Sequence, residues 1–503
     1  MRLQFTSRQW STVVVISIAD FCNAICVALQ APFFPQEAEK KGCSATEYGL
    51  VFGVFELVVF AVSPLYGAHL NRLGPKVVFN AGILTTSICA IMFGFLDKVE
   101  GHIPFVTLAF AIRIIEALGN AAFLTASFAI IAKEFPNNVA TMFASLETFF
   151  GLGLIAGPMI GGALYSWGGY CLPFAVLGFT LLCTALLCYV TLPKSADDED
   201  VRPTGPSMMN LLRVPGVLLA AITIISTSMS IGFLQATLEP HLRQFNFSPV
   251  ILGVIFIING GIYALSAPGW GWLCDHHSVK AKVVTVIGHV FVVAAFLLVG
   301  PAPFFDMPTT LWVTILGLVL HGFGMGSLLV SSFSDALGTA ISSGLPNSIE
   351  TYGLVSGMWT STFALGAFFG PSIAGLLFDS IGFRCATLFI SVLHVITMLL
   401  VIIYICICDR PRMEVSVSAG DLLQIDGTLD ESVLIGEKYL PTTRPKSRRF
   451  GITVEQSRPP AMNSLIACSS FKNRRSPWSQ RTPRYRPSYG SLDTRFRGTV
   501  SIT

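Results

Sequence analysis

Asp20, Glu56, Glu116, Glu147 and Glu239 fall within or at the edges of long apolar runs, and Asp335 stands just past another. One guanidinium, Arg113, sits among them, and His321 adds an imidazole. Ionisable groups in an apolar segment are expensive and face a cavity or one another. Low dielectric favours the neutral form of a carboxyl, so such acids exchange protons readily. Carboxylates in excess over a single arginine make a net negative site that attracts cations. The chemistry this predicts is exchange of protons for a positively charged solute.

Several of these residues also admit plainer roles. Arg113 and Glu116 lie one turn apart on one helix face. They either neutralise each other or form a proton-linked pair for which Glu147, on the next run, competes. Asp20 and Asn23 share a face and are alternatives for one position. Glu239 precedes Pro240 at the end of its run, with Gln235 one turn earlier as a rival and a solvated loop residue as the bland reading. His321 and Asp335 flank "HGFGMG", where an intramembrane histidine either caps a neighbour or relays protons. Nucleotide loops, catalytic triads and zinc-ligand spacings do not occur in the sequence. No enzymatic role, metal or cofactor is therefore expected, and the energy source is a proton gradient.

The elements that carry these residues must be membrane helices. Hydrophobic residues make up 52% of the chain and charged residues 12%, about half the usual charged share. A bilayer core needs about 20 apolar residues in a helix, and helix is the form that satisfies the backbone in lipid. Polar breaks divide the sequence into six spans over 12–192 and six over 215–408, joined by a linker at 193–214 and preceded by a short stretch at 1–11. Lysines and arginines in the short loops favour both termini on the cytosolic side. Most of the 12 cysteines sit inside apolar runs as small hydrophobes.

The two sets of six repeat each other. "GLIAGPMIGG" at 153–162 returns as "GAFFGPSIAG" at 366–375, with Pro158 and Pro371 in register, and "GAHLNRLGPK" at 67–76 is matched by "GWLCDHHSVK" at 271–280. Glycines one turn apart form a flat stripe on which a helix packs closely, and the proline removes a hydrogen bond and permits a kink. Repeated symmetrically, they predict two halves that rock on glycine-lined seams, as in transporters built from parallel repeats.

These motifs resemble the major facilitator superfamily. Gly153, Gly157, Pro158, Gly161 and Gly162, with Gly366, Gly370, Pro371 and Gly375 as a second copy, look like its antiporter motif. Gly67, Arg72, Gly74 and Lys76 look like its loop motif, which departs at Asn71 and Pro75. The second copy keeps Asp275 but has His276 in place of the arginine. "RIIEALGNAA" at 113–122 is similar to the superfamily's arginine motif. "APFFPQEAEKKG", "EFPNNVAT", "SLETFFGLGLIAGPMIGG" and "YGLVSG" resemble the vesicular amine transporter branch. That resemblance implies an all-α membrane protein with 12 transmembrane helices in two six-helix bundles, pseudo-two-fold related. It also implies a substrate class of amines, polyamines included. Asp20 or Asn23 takes the place of the branch's first-span aspartate, and Glu239 or Gln235 that of an acid near a proline. A facilitator-fold carrier of an organic anion or drug, and a non-transporting sensor or scaffold, are the alternatives.

Residues 409–503 hold 16 basic and 9 acidic residues, rich in Ser, Pro and Arg, and read as a disordered basic cytosolic tail. In it Asp430, Leu434 and Ile435 resemble a sorting signal read by a cytosolic adaptor, which points to a vesicle or endosomal membrane. Lipid, protons and a small cationic solute are the other expected partners; nucleic acid is not one.

Overall fold

The structure is a computed structural model that describes residues 5–192, 207–246, 249–276, 279–305 and 308–408. Asp430, Leu434 and Ile435, which resemble a sorting signal, lie outside them. The described chain is helical: α1 (Ser7–Lys40), α2 (Ala45–Leu73), α3 (Pro75–Phe93), α4 (His102–Glu134), α5 (Val139–Gly168), α6 (Cys171–Thr191), the short α7 (Met208–Leu212), α8 (Pro215–Leu242), α9 (Pro249–Cys274), α10 (Ala281–Val299), α11 (Leu311–Ser342), α12 (Ile349–Ile381) and α13 (Phe383–Cys408). Twelve of them are long and apolar enough to cross a membrane.

Local chemistry sets the helix ends. Thr6 with Gln9 and Ser44 with Glu47 form capping boxes that open α1 and α2. Pro75 and Pro215 stand at the start of α3 and α8, where a missing N–H costs nothing. Gly169 (φ 67°) and Gly382 (φ 73°) make the turns into α6 and α13, a conformation that favours glycine. These two turns keep the spacing of Pro158 and Pro371, so the duplication read in the motifs extends to the backbone.

Packing repeats as well. Within the first half α1 lies on α5, α3 on α4 and α6, and α2 on α4; within the second α8 lies on α12, α10 on α11 and α13, and α9 on α11. The halves meet along α2–α12 and α5–α9, with α4–α12 and α5–α11 joining at one end. That end also gathers Arg8, Lys76 and Lys133, and is called here the basic face; the opposite end is the far face.

Two expectations change. Most helices run past the predicted spans, so Asp335 lies inside α11 and Pro240 inside α8. The glycines of "GLIAGPMIGG" do not line the seam between halves. A methyl built on Gly153 would lie 2.5 Å from the Phe21 carbonyl oxygen, and one on Gly157 2.9 Å from that of Ile25, both on α1. Gly161 faces Leu29 and Phe33 on the same helix, and Gly366 and Gly370 seat α12 on α8 in the same way. Gly162 and Gly375 have nothing within 4 Å. The stripe thus fastens the fifth helix of each half to the first. Other glycines serve the seams: Gly67 meets the backbone of Gly353 and Gly357 across α2–α12, and Gly271 lies 2.6 Å by the same measure from the Ala140 carbonyl across α5–α9.

Candidate binding and coupling site

The acids of the first half form two buried stations. Along α1, Asp20 and Asn23 are one turn apart and fully buried. Asn23 donates to the Asn120 side chain on α4 at 2.9 Å. Neither oxygen of Asp20 has a hydrogen-bond partner among the described residues, although a buried carboxylate left unmatched is costly. Its charge interacts with that of Glu147 on α5. Glu147 accepts a hydrogen bond from the hydroxyl of Tyr263. Tyr263 belongs to α9, so this contact ties one half to the other. Next to it, the Thr148 hydroxyl donates to the Ala264 carbonyl at 2.9 Å.

The second station lies further along α1 towards the far face. Gln30 donates to both oxygens of Glu116 at 2.8 Å, and Arg113 reaches the same carboxylate at 3.0 Å. The Arg113 guanidinium sits 4.1 Å from the Phe55 ring centre and 5.7 Å from that of Phe52, within cation–π range. Glu56, partly buried on α2, feels the Arg113 charge. Here the plainer reading of Arg113 and Glu116 holds in part: they do pair, and not with Glu147. Glu56 leaves the station with one carboxylate more than the guanidinium balances.

Among the described residues, the second half contributes no comparable acid. Glu239 pairs with Arg243 at 2.7 Å in a solvent-exposed bridge, and Gln235 is exposed one turn away. Asp335 forms an ion pair with Lys282 at the start of α10. Lys282 is itself buried. What this half buries instead is imidazole. Asn259 donates to His321 Nδ1 at 2.9 Å, which leaves Nε2 to donate to Ser230 at 3.0 Å. His289 and His394 meet through their Nδ1 atoms at 2.9 Å.

On the basic face the halves are held shut. Phe128 (α4), Phe143 (α5), Phe333 (α11) and Trp359 (α12) form a block in which Phe143 stacks on Phe333 at 4.3 Å and both α4 and α5 rings meet Trp359 at 5.2 Å. Asn71 donates to Glu350 at 2.6 Å, at the start of α12. Asp275 caps α5, accepting from the backbone of Ala140 at 3.0 Å and of Thr141 at 2.7 Å and from the Thr141 hydroxyl at 2.6 Å. Burial pushes the Asp275 carboxyl up despite those three bonds. The loop motif's copies therefore act alike: each sends a polar side chain to the first turn of a helix in the other half. Lys76, by contrast, donates to the Leu192 carbonyl within its own half, and Gly74 (φ 81°) makes the turn between α2 and α3.

Sequence reasoning missed Tyr263, Gln30, Asn120 and the aromatic block. Each is uncharged, and an apolar chain offers many such residues. A tyrosine or amide in a run of aliphatics was the available signal, too common to single out.

Comparison with known proteins agrees with this architecture. The Major Facilitator Superfamily profile matches residues 16–348. The chain is 38% identical to the human MFS-type transporter SLC18B1 over 376 residues, covering 74% of this chain and 82% of that protein. It is 25% identical over 360 residues to the rat chromaffin granule amine transporter, covering 69% and 64%. Among solved structures, the human organic anion transporter MFSD10 (TETRAN) superposes with a TM-score of 0.65 at 20% identity, covering 78% of this chain and 99% of that one.

Proposed function

The chain belongs to the Major Facilitator Superfamily, and we propose that it is a proton-coupled antiporter that moves organic cations into an acidic vesicle. The observation that carries this is the Glu147–Tyr263 contact beside the unpartnered Asp20. A carboxylate that binds either a proton or an amine is here the acceptor of a bond between the halves. Charged acceptors make the stronger hydrogen bonds. Neutralising Glu147, by protonation or by a bound ammonium, weakens that bond and lets α5 and α9 part. Proton and cation then compete for one acidic site, which is the requirement for exchange.

Asp20 and Gln30 are ten residues apart on α1, about 15 Å at the helical rise. Two acidic stations at that separation suit an elongated cation with a charge at each end. The amine transporter among the relatives supports amines as the cargo class. An organic anion fits less well, because Arg113 is already neutralised by Glu116. In this reading the basic face, where α1 begins and α13 ends, is the cytosolic one, as the positive-inside rule favours.

Purified protein in liposomes with an acidic interior, offered labelled mono-, di- and polyamines and organic anions, tests the proposal. The expected result is accumulation of amines that stops when the proton gradient is collapsed. Uptake of anions, or amine uptake indifferent to the gradient, overturns it.

A further inference from the structure

On the far face, Cys43, Glu47 and His102 bring one sulfur, one carboxylate oxygen and one imidazole nitrogen within 4.8 Å of one another. They come from the turn after α1, the first turn of α2 and the first residue of α4. We propose that these three side chains form a binding site for a single borderline-soft divalent cation of the Zn²⁺ class, with its fourth position open to water.

The donor set fits that ion. Zn²⁺ takes thiolate at about 2.3 Å and imidazole or carboxylate at about 2.0–2.2 Å, with tetrahedral geometry. Ligand atoms must then stand about 3.5 Å apart. The cluster already has that scale: His102 Nε2 lies 2.9 Å from Glu47 Oε1. An ion displaces the proton between them and needs only small side-chain rotations. Glu47 is held for the purpose. Its Oε2 accepts from the Ser44 backbone at 2.7 Å and from the Ser44 hydroxyl at 2.9 Å. The capping box therefore fixes one oxygen and leaves the other turned to the ring. Such outer hydrogen bonds orient metal-binding carboxylates.

Cys43 is buried and Cys171 half-buried, and both are free thiols, so the two form no disulfide. Glu47 and His102 are half-exposed, which gives an ion a route in from the aqueous side. A set made only of oxygens would suit Ca²⁺ or Mg²⁺; the sulfur and nitrogen point away from them. All three ligands belong to the first half, so the ion braces the far ends of α1, α2 and α4 without clamping the halves together. No linear motif announces the site, because its ligands stand 4 and 55 residues apart.

The test is Zn²⁺ binding by the purified full-length protein, measured by competition with a chromogenic chelator, with Cd²⁺ as a spectroscopic probe. The unaltered chain should bind one more Zn²⁺ than Cys43→Ser or His102→Gln, and should show a thiolate-to-Cd²⁺ absorption band that Cys43→Ser lacks. A further reading needs no loss of the thiol. Zn²⁺ should protect the Cys43 peptide from alkylation in the unaltered protein and fail to do so in His102→Gln. Equal stoichiometry in all three proteins, or alkylation of Cys43 indifferent to Zn²⁺, overturns the proposal.

Discussion

The sequence puts Asp20 inside an apolar run and Asp335 just past another, and the structure separates them further by their partners. Asp20 has no hydrogen-bonding partner among the described residues, whereas Asp335 is paired with the buried Lys282. Removing one partner of a buried pair costs about 3–5 kcal/mol, because the other charge is left uncompensated. Asp335→Asn should therefore lower the melting temperature markedly in detergent. Asp20→Asn should leave it unchanged or higher while amine uptake is lost. Equal melting shifts for the two variants contradict these assignments. Charge in an apolar run made the acids visible in the sequence. Their partners were not, because Tyr263 lies 116 residues from Glu147 and Gln30 lies 86 from Glu116, and nothing in a linear pattern reports such pairings. For Glu239 the plainer of the two readings is the nearer one, since it sits in an exposed pair with Arg243, just past the end of α8.

At the scale of helices, motif glycines divide by what they touch. A side chain at Gly153 meets the α1 backbone, which cannot yield as a flexible side chain can; one at Gly162 meets open space. Overpacking typically costs about 1–3 kcal/mol, and backbone contact places Gly153→Val at or above that range. Thermal unfolding should show a large loss for Gly153→Val and almost none for Gly162→Ala, although both positions match the same motif. A comparable loss at Gly162 contradicts the packing described. Span number, the duplication and the existence of close glycine packing were all legible, since each leaves a periodic mark. Which helix fills the glycine stripe was not. The same sequence allows a seam within a half or between halves, and that choice depends on long-range packing. Helix ends were also read short, since polar residues such as Asp335 extend a helix once a partner is buried beside them.

For the whole molecule, the halves are unequal in chemistry though equal in architecture. Carboxylates gather on α1, α2, α4 and α5, while the second half buries His289, His321 and His394. The aromatic block and the Asp275 and Asn71 contacts close the basic face, and Glu147–Tyr263 crosses the seam deeper within. Opening that face must break all of them, so under the proposed mechanism protonation at Glu147 would be coupled to a movement of the entire half. The most direct measurement of that coupling records labelled amine uptake and proton efflux in the same acid-loaded vesicles for the unaltered protein and for Glu147→Gln. The glutamine keeps the shape and can still accept from Tyr263, but it cannot take up a proton. The account predicts that amine uptake by the unaltered protein follows the gradient with matching proton loss, and that Glu147→Gln shows neither. Gradient-driven uptake that survives in Glu147→Gln contradicts it.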